Sequence, residues 1–302
     1  MEENVRMMQS ISDYCDMVGA QALHPLVSVV DFSSLPPVRT PGFRRLFGYY
    51  AVYLKGRKYS ELHYGRDTYS YDEGALVFMA PGQVAGVEDD GVAHQMTTRV
   101  LMFHPDLLRG TYLQPLMRQY TFFSYSTNEA LFPTEDEKRI IVDCFGRIAN
   151  ELLHQDESTM PIVLDYIKLV LDHCSRFYHR RFTTSQPQSQ DILARLEQLL
   201  DDYFSSGAPS SGGVPTVAYC ASRLCLSTNY LSDLVRTSTG VSALKVIHAK
   251  MLDTAKARLS APSVRINEVA TSLGFQQSQS FNAWFKKAEG CTPTQYRRAV
   301  MG

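Results

Sequence analysis

Short runs of apolar residues fill the first part of the chain, from about residue 20 to residue 132. The runs LVSVVDF, YYAVYLKG, YSELHYG and ALVFMAPG are rich in Val, Tyr and Phe, and Gly, Pro and Asp separate them. This composition and spacing are typical of β-strands that follow one another closely. The pattern therefore predicts an antiparallel β-barrel or sandwich over this region.

The period of the apolar positions changes to that of a helix at Phe132. Thr134 and Glu137 have the spacing of a capping box, and a second helix is expected from about Met160 to Arg180. The first helix has apolar residues at helical spacing: Ile141, Cys144, Phe145, Ile148 and Leu152. Together the two segments predict a helical hairpin.

The second helix of this hairpin, IVLDYIKLVLDHC in its central part, is apolar on more than one face. One stripe consists of Leu164, Ile167, Leu171 and Cys174, and further apolar residues, Ile162, Val163, Leu169 and Val170, lie elsewhere on the helix. Such a helix needs burial on several sides, either under the barrel or against a second copy. Because one barrel can hardly cover all of it, we expect a homodimer through the paired helices.

The polar stretch TTSQPQSQ, residues 183–190, predicts an interdomain linker. The expected division is a β-rich domain over 1–134, a helical hairpin over 135–182, the linker, and an all-helical domain over 191–302. The predicted fold class is therefore α+β.

An internal repeat runs through the helical domain. Leu224, Leu226, Leu231, Val235 and Gly240 recur as Leu273, Phe275, Phe281, Phe285 and Gly290. The offset is 49 for the first two pairs and 50 for the other three, so one residue is inserted in the turn. Self-similarity of this kind indicates a duplicated supersecondary unit.

Each copy of the repeat predicts two short helices joined by a tight turn, which is a helix-turn-helix. In the first copy, Ser227 is the expected cap of the second helix and Gly240 its end. The outer face of that helix carries Thr228, Asn229, Ser232, Asp233 and Arg236. A helix with such a face can enter the major groove of DNA.

The second copy has Gly274 at its turn and an outer face of similar character. That face carries Ser278, Gln279, Asn282, Lys286 and Lys287. Amide side chains suit adenine and lysines suit phosphates. A last helix opens at Thr292, with Pro293 in its first turn and Gln295 completing a capping box.

Between the copies, a helix from about Ser242 to Leu259 would be roughly 27 Å long, near the spacing of one DNA turn. Arg297 and Arg298, in the last helix, are expected to extend the basic surface.

These residues closely resemble the AraC/XylS family of transcription regulators. The resemblance rests on INEVATSLGFQQSQSFNAWFKKAEGCTPTQYRR, on LSTNYLSDLVRTSTGVS, and on the A-K-x-x-L pattern from Ala255 to Leu259. It implies that the second helix of each copy reads bases. The implied base-facing residues are Asn229, Ser232, Asp233, Ser278, Gln279, Asn282 and Ala283.

The sequence departs from the family pattern at three positions. Ala283 and Met251 stand where members often have Arg, and Trp284 stands where a smaller residue is usual. The resemblance also implies a cupin-like sensor domain in the first half, with double-stranded DNA, RNA polymerase and a small-molecule effector as partners.

Charge supports a polyanion as partner. The net charge is −1, but residues 214–302 hold eleven basic and four acidic residues and have a net charge of +7. A basic segment on an acidic protein is the electrostatic signature of a nucleic-acid binder.

Composition excludes several other classes. The six cysteines are scattered without a CxxC pair, which favours free thiols in a reducing cytoplasm. The N-terminus lacks a signal-peptide pattern, and no apolar run approaches 18 residues, so we expect no membrane association.

A metal-dependent enzyme is the alternative that the β-rich half leaves open. Cupin-type enzymes need converging His and Glu ligands, whereas His63, His94 and His104 lie in different segments and no HxH occurs. We therefore expect no catalytic residue, no metal and no cofactor. A third possibility is a constitutive DNA-binding protein whose barrel serves only for dimerisation.

Overall fold

A computed structural model describes residues 5–39, 42–56, 62–64, 67–69, 73–87, 89–126, 129–183, 187–261 and 264–301, with the backbone alone for 62–64, 67–69, 87, 187–189 and 301. The chain divides into two compact units, Met1–Arg180 and Arg181–Gly302. The first unit contains the sheets, and the second is helical.

The described part of the first unit has these strands: β1 (Val5–Met8), β2 (Val27–Asp31), β3 (Val38–Arg39), β4 (Arg44–Phe47), β5 (Tyr50–Leu54), β6 (Leu62–Tyr64), β7 (Asp67–Tyr69), β8 (Leu76–Met79), β9 (Val84–Val87), β10 (Ala93–His94) and β11 (Arg99–Phe103). Its α-helices are α1 (Ile11–Val18), α2 (Pro105–Leu108), α3 (Leu113–Leu116), α4 (Glu135–Leu153) and α5 (Thr159–Thr183), the last of which ends in the second unit.

The strands form two larger sheets and a short ribbon. The first sheet has the order β1-β4-β9-β6-β7, the second the order β2-β11-β5-β8, and the ribbon pairs β10 with β3. In the second sheet every pair is antiparallel, with Leu101 opposite both Val29 and Val52. In the first sheet β1 runs parallel to β4, with Val5 opposite Arg44.

Strand β11 lies in the middle of the second sheet and is apolar on both faces. Val100 and Met102 enter the core that α1 shares with the sheets. Phe103 points to the opposite face, where its ring lies 6.4 Å from that of Phe123. This arrangement explains why VLMF, residues 100–103, is a continuous apolar run rather than an alternating one.

Helix α1 precedes the region that the sequence pattern marks as structured. Ser10 and Asp13 form a capping box at its start, and Gly19 ends it in the left-handed conformation at φ +73°. Its buried face includes Ile11 and Cys15. The expected β-rich domain over 1–134 therefore also contains β1 and α1, which the strand pattern read from about residue 20 does not predict.

The segment expected to be a helical hairpin contains the two helices α4 and α5. Thr134 and Glu137 form the expected capping box of α4, and α4 lies against β2. Helix α5 packs through Tyr178, whose ring stacks on Phe122 at 5.8 Å. Arg180 donates from Nη2 to a carboxylate oxygen of Glu137 at 2.8 Å, which ties the two helices together.

The apolar stripe of α5 is covered within one chain. Leu164, Ile167, Leu171 and Cys174 are all buried, as are Val163 and Val170. Leu169 stays exposed. The exposure that the sequence analysis expected for the stripe is therefore wrong, because tertiary packing buries more of the helix than periodicity alone can show.

The α+β class is confirmed, with a sheet region first and a helical region after it. A closed antiparallel barrel is not found among the described strands, which fall into separate sheets with one parallel pair. No helix in the described residues is long and apolar enough to cross a bilayer.

The second unit has these helices: α6 (Pro187–Ser205), α7 (Pro209–Gly212), α8 (Val217–Arg223), α9 (Thr228–Thr239), α10 (Ala243–Leu259), α11 (Ile266–Ser272), α12 (Ser278–Glu289) and α13 (Pro293–Met301). Of the segment 183–190 that was expected to be a linker, Thr183 ends α5, residues 187–190 form the start of α6, and 184–186 lie outside the described residues.

Candidate DNA interface

The first helix-turn-helix consists of α8 and α9. Ser227 caps α9 by accepting a hydrogen bond from the backbone N–H of Tyr230 at 3.2 Å, and Gly240 ends it in the left-handed conformation. Leu231 and Val235 point into the module and are fully buried. Both ends of this helix therefore form as the sequence predicts.

The second helix-turn-helix consists of α11 and α12. Phe281 and Phe285 are fully buried on the inner face of α12, and Gly290 ends the helix. Gln277 stands at the position that Ser227 has in the first module, but it forms no side-chain cap. The two modules thus share their cores and differ at the start of the reading helix.

The turns of the two modules use equivalent left-handed residues. Cys225 has φ +58°, and Gly274, its counterpart at an offset of 49, has φ +91°. At Gly274 a Cβ atom would lie 2.5 Å from the carbonyl carbon of Gly213, so only glycine fits there without a shift.

Helix α10 joins the modules. It has 17 residues, which is about 26 Å at 1.5 Å per residue. It contacts α9 of the first module and α11 of the second. The buried residues repeat every fourth position along it, at Ala243, Ile247, Met251, Ala255 and Leu259. A helix held in this way is a rigid spacer between the two reading helices.

Most of the predicted reading residues face solvent. The exposed residues are Thr228, Asn229, Arg236, Gln279, Asn282, Ala283, Lys286 and Lys287, and the partly exposed ones are Ser232, Asp233 and Ser278. The Ser232 hydroxyl donates to the carbonyl of Thr228 at 2.8 Å. This bond ties the Ser232 hydroxyl to its own helix, whereas the neighbouring Asn229 is exposed.

Four of the eleven basic residues hold the unit together. Lys250 pairs with Asp201 at 2.5 Å, and Lys256 pairs with Glu289 at 2.5 Å. The hydrogen bond to Glu289 raises the pKa of Lys256. These lysines are therefore engaged inside the fold and do not belong to the outer basic surface.

Arg258 and Arg297 are also engaged internally. Arg258 donates from Nη1 to the carbonyl of Ser272 at 2.9 Å and from Nη2 to the carbonyl of Phe204. Burial lowers the pKa of the Arg258 guanidinium. Arg297 donates to two backbone carbonyls, so the expectation that it extends the basic surface is wrong.

The other seven basic side chains are exposed, and none forms an ion pair with a residue that the structure describes. They are Arg223, Arg236, Lys245, Arg265, Lys286, Lys287 and Arg298. The sequence analysis did not place Arg223, Lys245 or Arg265 on either outer face, because these residues precede or follow α9 and α12. Their exposure adds them to the candidate phosphate contacts.

Two departures from the family pattern have a packing explanation. Met251 is buried in the face of α10 that holds the modules together. The Trp284 ring lies 5.5 Å from that of Phe275 and 6.4 Å from that of His248. Trp284 therefore belongs to an aromatic cluster at the edge of the second module.

The histidines considered as metal ligands have other partners where they are described. His94 pairs with Asp90 at 2.6 Å, and His104 caps α2 by accepting from the backbone N–H of Asp106 at 3.2 Å. The side chain of His63 lies outside the described residues. Within the described part of the chain, no three metal-ligating side chains converge.

Comparison with known proteins agrees with this geometry. A family model described as a helix-turn-helix domain matches residues 220–299. The raffinose operon transcriptional regulatory protein RafR of Pediococcus pentosaceus is 26% identical over 125 residues, which are 41% of this chain and 43% of that protein. The arabinose operon regulatory protein of Escherichia coli K12 is 33% identical over 81 residues, which are 27% of this chain and 28% of that protein.

Among solved structures, the C-terminal domain of AraT, a response regulator from Geobacillus stearothermophilus, is 30% identical. The match covers 37% of this chain and 87% of that one, with a TM-score of 0.33. This chain spans less than half the length of the two curated relatives named above. Residues 220–299, which carry most of both modules, therefore form a helix-turn-helix domain that is similar to those of the raffinose and arabinose operon regulators.

Proposed function

We propose that the protein is a sequence-specific, DNA-binding transcription regulator and not an enzyme. The observation that carries this proposal is the pairing of two helix-turn-helix modules on one helix, α10, each with a polar outer face on its second helix. Exposed cations without a described ion-pair partner surround these faces. Such an arrangement can read bases with amides and neutralise phosphates with cations at the same time.

The first unit is proposed as a cupin-like sensor for a small-molecule effector. The family resemblance supports this role, as does the placement of the sheets ahead of a DNA-binding unit. RNA polymerase is the proposed protein partner, and the cytoplasm, which suits free thiols and a DNA target, is the proposed location.

A homodimer through the helical hairpin is also part of the proposal. The stripe of α5 on which it rested is buried in one chain, so a dimer contact would have to use what stays exposed on the hairpin, such as Leu153 and Leu169. Sedimentation of the full chain at high concentration measures this directly, and a monomer there rejects the dimer.

Selection of bound duplexes from a random pool, with the full chain, tests the main proposal. We expect an enriched sequence with two groups of preferred base pairs, and an affinity that falls steeply with salt. Asn229→Ala should relax preference in one group and Asn282→Ala in the other. If the chain enriches no sequence at low salt, the proposed function is wrong.

A further inference from the structure

The last turn of α5 packs against the back of the first reading helix. The ring of Phe182 meets that of Tyr230 edge to face, with centroids 5.2 Å apart. Both rings are buried, at 5% and 4% exposure. The Ser238 hydroxyl donates to the Phe182 carbonyl at 3.1 Å. All three residues belong to the second unit, so α5 contributes its end to the DNA-binding unit.

The second module offers an internal control for this contact. At the offset of 50, Tyr230 corresponds to Ser280 and Ser238 corresponds to Ala288. Ser280 and Ala288 are both exposed on α12. The face that α5 covers on α9 is thus bare on α12, and α12 has neither the ring nor the hydroxyl that forms the contact. The duplicated modules differ at the two positions that bind α5.

This contact determines how α9 is rotated about its own axis. The inner face of α9 is held by Leu231 and Val235, and Tyr230 adds a second point of support about 100° away. Asn229, a proposed reading residue, is the direct neighbour of Tyr230. Because a binding side chain must be held within about 0.5 Å and 10–20° of its working geometry, a small rotation of α9 is enough to misplace the Asn229 amide.

We propose that Phe182 and Ser238 are positioning residues for the first reading helix, and that regulation through α5 acts on the part of the DNA site that α9 reads. The proposal rests on the proposed function and makes it specific. Helix α5 begins in the first unit and ends in the second. A change in the first unit can therefore reach α9 through a continuous helix, while the structure gives no corresponding contact between α12 and the described part of α5.

The test uses the full chain and the duplex that the selection enriches. The base pairs whose preference changes in Asn229→Ala define the α9 site, and those that change in Asn282→Ala define the α12 site. With Phe182→Ala we expect preference at the α9 site to fall by roughly 5- to 150-fold, the usual range of coupling between sites. Preference at the α12 site should stay as in the wild type.

Three further variants separate positioning from folding. Ser238→Ala removes only the hydroxyl and should weaken preference at the α9 site in the same direction. Phe182→Leu keeps an apolar side chain on Tyr230 and should restore much of that preference. Phe132→Ala truncates an exposed phenylalanine of the first unit and should change neither site.

Equal losses of base preference at the α9 and α12 sites would overturn the proposal, since they would mean that Phe182 supports only the stability of the second unit. Unchanged preference in both Phe182→Ala and Ser238→Ala would overturn it as well. If Asn229→Ala and Asn282→Ala themselves alter no preference, the proposed function fails first, so the two failures can be told apart.

Discussion

The guanidinium of Arg297 donates from Nε to the backbone carbonyl of Leu259 at 3.0 Å. Leu259 is the last residue of α10, and the same guanidinium donates from Nη2 to the carbonyl of Val264 at 2.7 Å. A cation here satisfies a carbonyl that has no partner within the helix and interacts favourably with the C-terminal end of the helix dipole. Arg297 thus closes α10, whereas its neighbour Arg298 is exposed.

We predict that Arg297→Ala lowers the free energy of unfolding by about 1–3 kcal/mol, because it leaves partly buried carbonyls without a donor. Arg298→Ala is the matched control, and it should leave stability unchanged while weakening DNA binding at low salt. Urea unfolding and a salt titration of binding measure the two effects. A stable Arg297→Ala variant with a flattened salt slope would show that Arg297 contacts DNA after all.

A second prediction concerns the turn of the first module. Cys225 holds φ +58° without being glycine, a conformation that costs L-residues about 1–2 kcal/mol. Cys225→Gly relieves this cost and adds some entropy to the unfolded chain, so we expect a net gain of about 0.5–1 kcal/mol in the free energy of unfolding. Thermal and urea unfolding would record it.

The opposite change at the equivalent turn is its control. Gly274→Ala should destabilise the second unit, since the new Cβ would lie 2.5 Å from the Gly213 backbone. A destabilised Cys225→Gly variant would mean that contacts of the Cys225 side chain stabilise the fold by more than its left-handed backbone conformation costs.

A third prediction concerns acid stability of the first unit. Burial alone would raise the pKa of Asp31, but hydrogen bonds from Ser33 and Arg99 outweigh it and lower that pKa from 3.8. Arg99 donates from Nε at 2.7 Å. Because the pKa is lower in the folded state, Asp31 stabilises the fold above its unfolded pKa, and this contribution is lost as pH falls through the folded value.

Accordingly, Asp31→Asn should lower the free energy of unfolding near neutral pH by about 1 kcal/mol, and its difference from the wild type should disappear in acid. Unfolding curves collected from pH 7 downward measure this. Asp136→Asn, which removes a carboxylate from a highly exposed pair with Arg139, should show no such dependence. A constant deficit for Asp31→Asn at every pH would contradict the assignment.

A fourth prediction separates base reading from phosphate binding on α12. Gln279→Ala should change the preferred base at one position and cost about 1–3 kcal/mol there. Lys286→Ala should weaken binding to all DNA sequences alike, and it should reduce the slope of log affinity against log salt concentration by about one unit. If Gln279→Ala keeps the wild-type preference, the outer face of α12 does not lie in the groove as proposed.

Local features of the DNA-binding unit were predictable because adjacent residues determine them. Helix ends depend on only a few neighbouring positions. Examples are the N-cap Ser227 and the C-terminal Gly240 of α9, and the capping box of Thr292 and Gln295. The repeat then identified the outer faces of α9 and α12, since a period of 3.6 residues places Leu231 and Asn229 on different faces of any helix. The two helix-turn-helix modules were therefore predictable from the sequence alone.

Whether a basic side chain faces solvent or binds within the fold was not predictable from adjacent residues. Arg297 and Arg298 are adjacent and chemically identical, yet one closes α10 and the other faces solvent. The carbonyls that bind Arg297 lie 38 and 33 positions away along the chain. No local pattern encodes a partner at that separation.

The sequence by itself determined the α+β class of the chain, the two modules and the residues on the outer faces of their second helices, because periodicity and capping are local properties of adjacent positions. Only the tertiary structure decided that the α5 stripe is buried within one chain, that the strands form separate sheets with a parallel pair, and that Phe182 supports Tyr230. Each of these depends on which distant surfaces meet. Burial and packing are shared between segments far apart in the chain, so they become defined only when those segments are brought together.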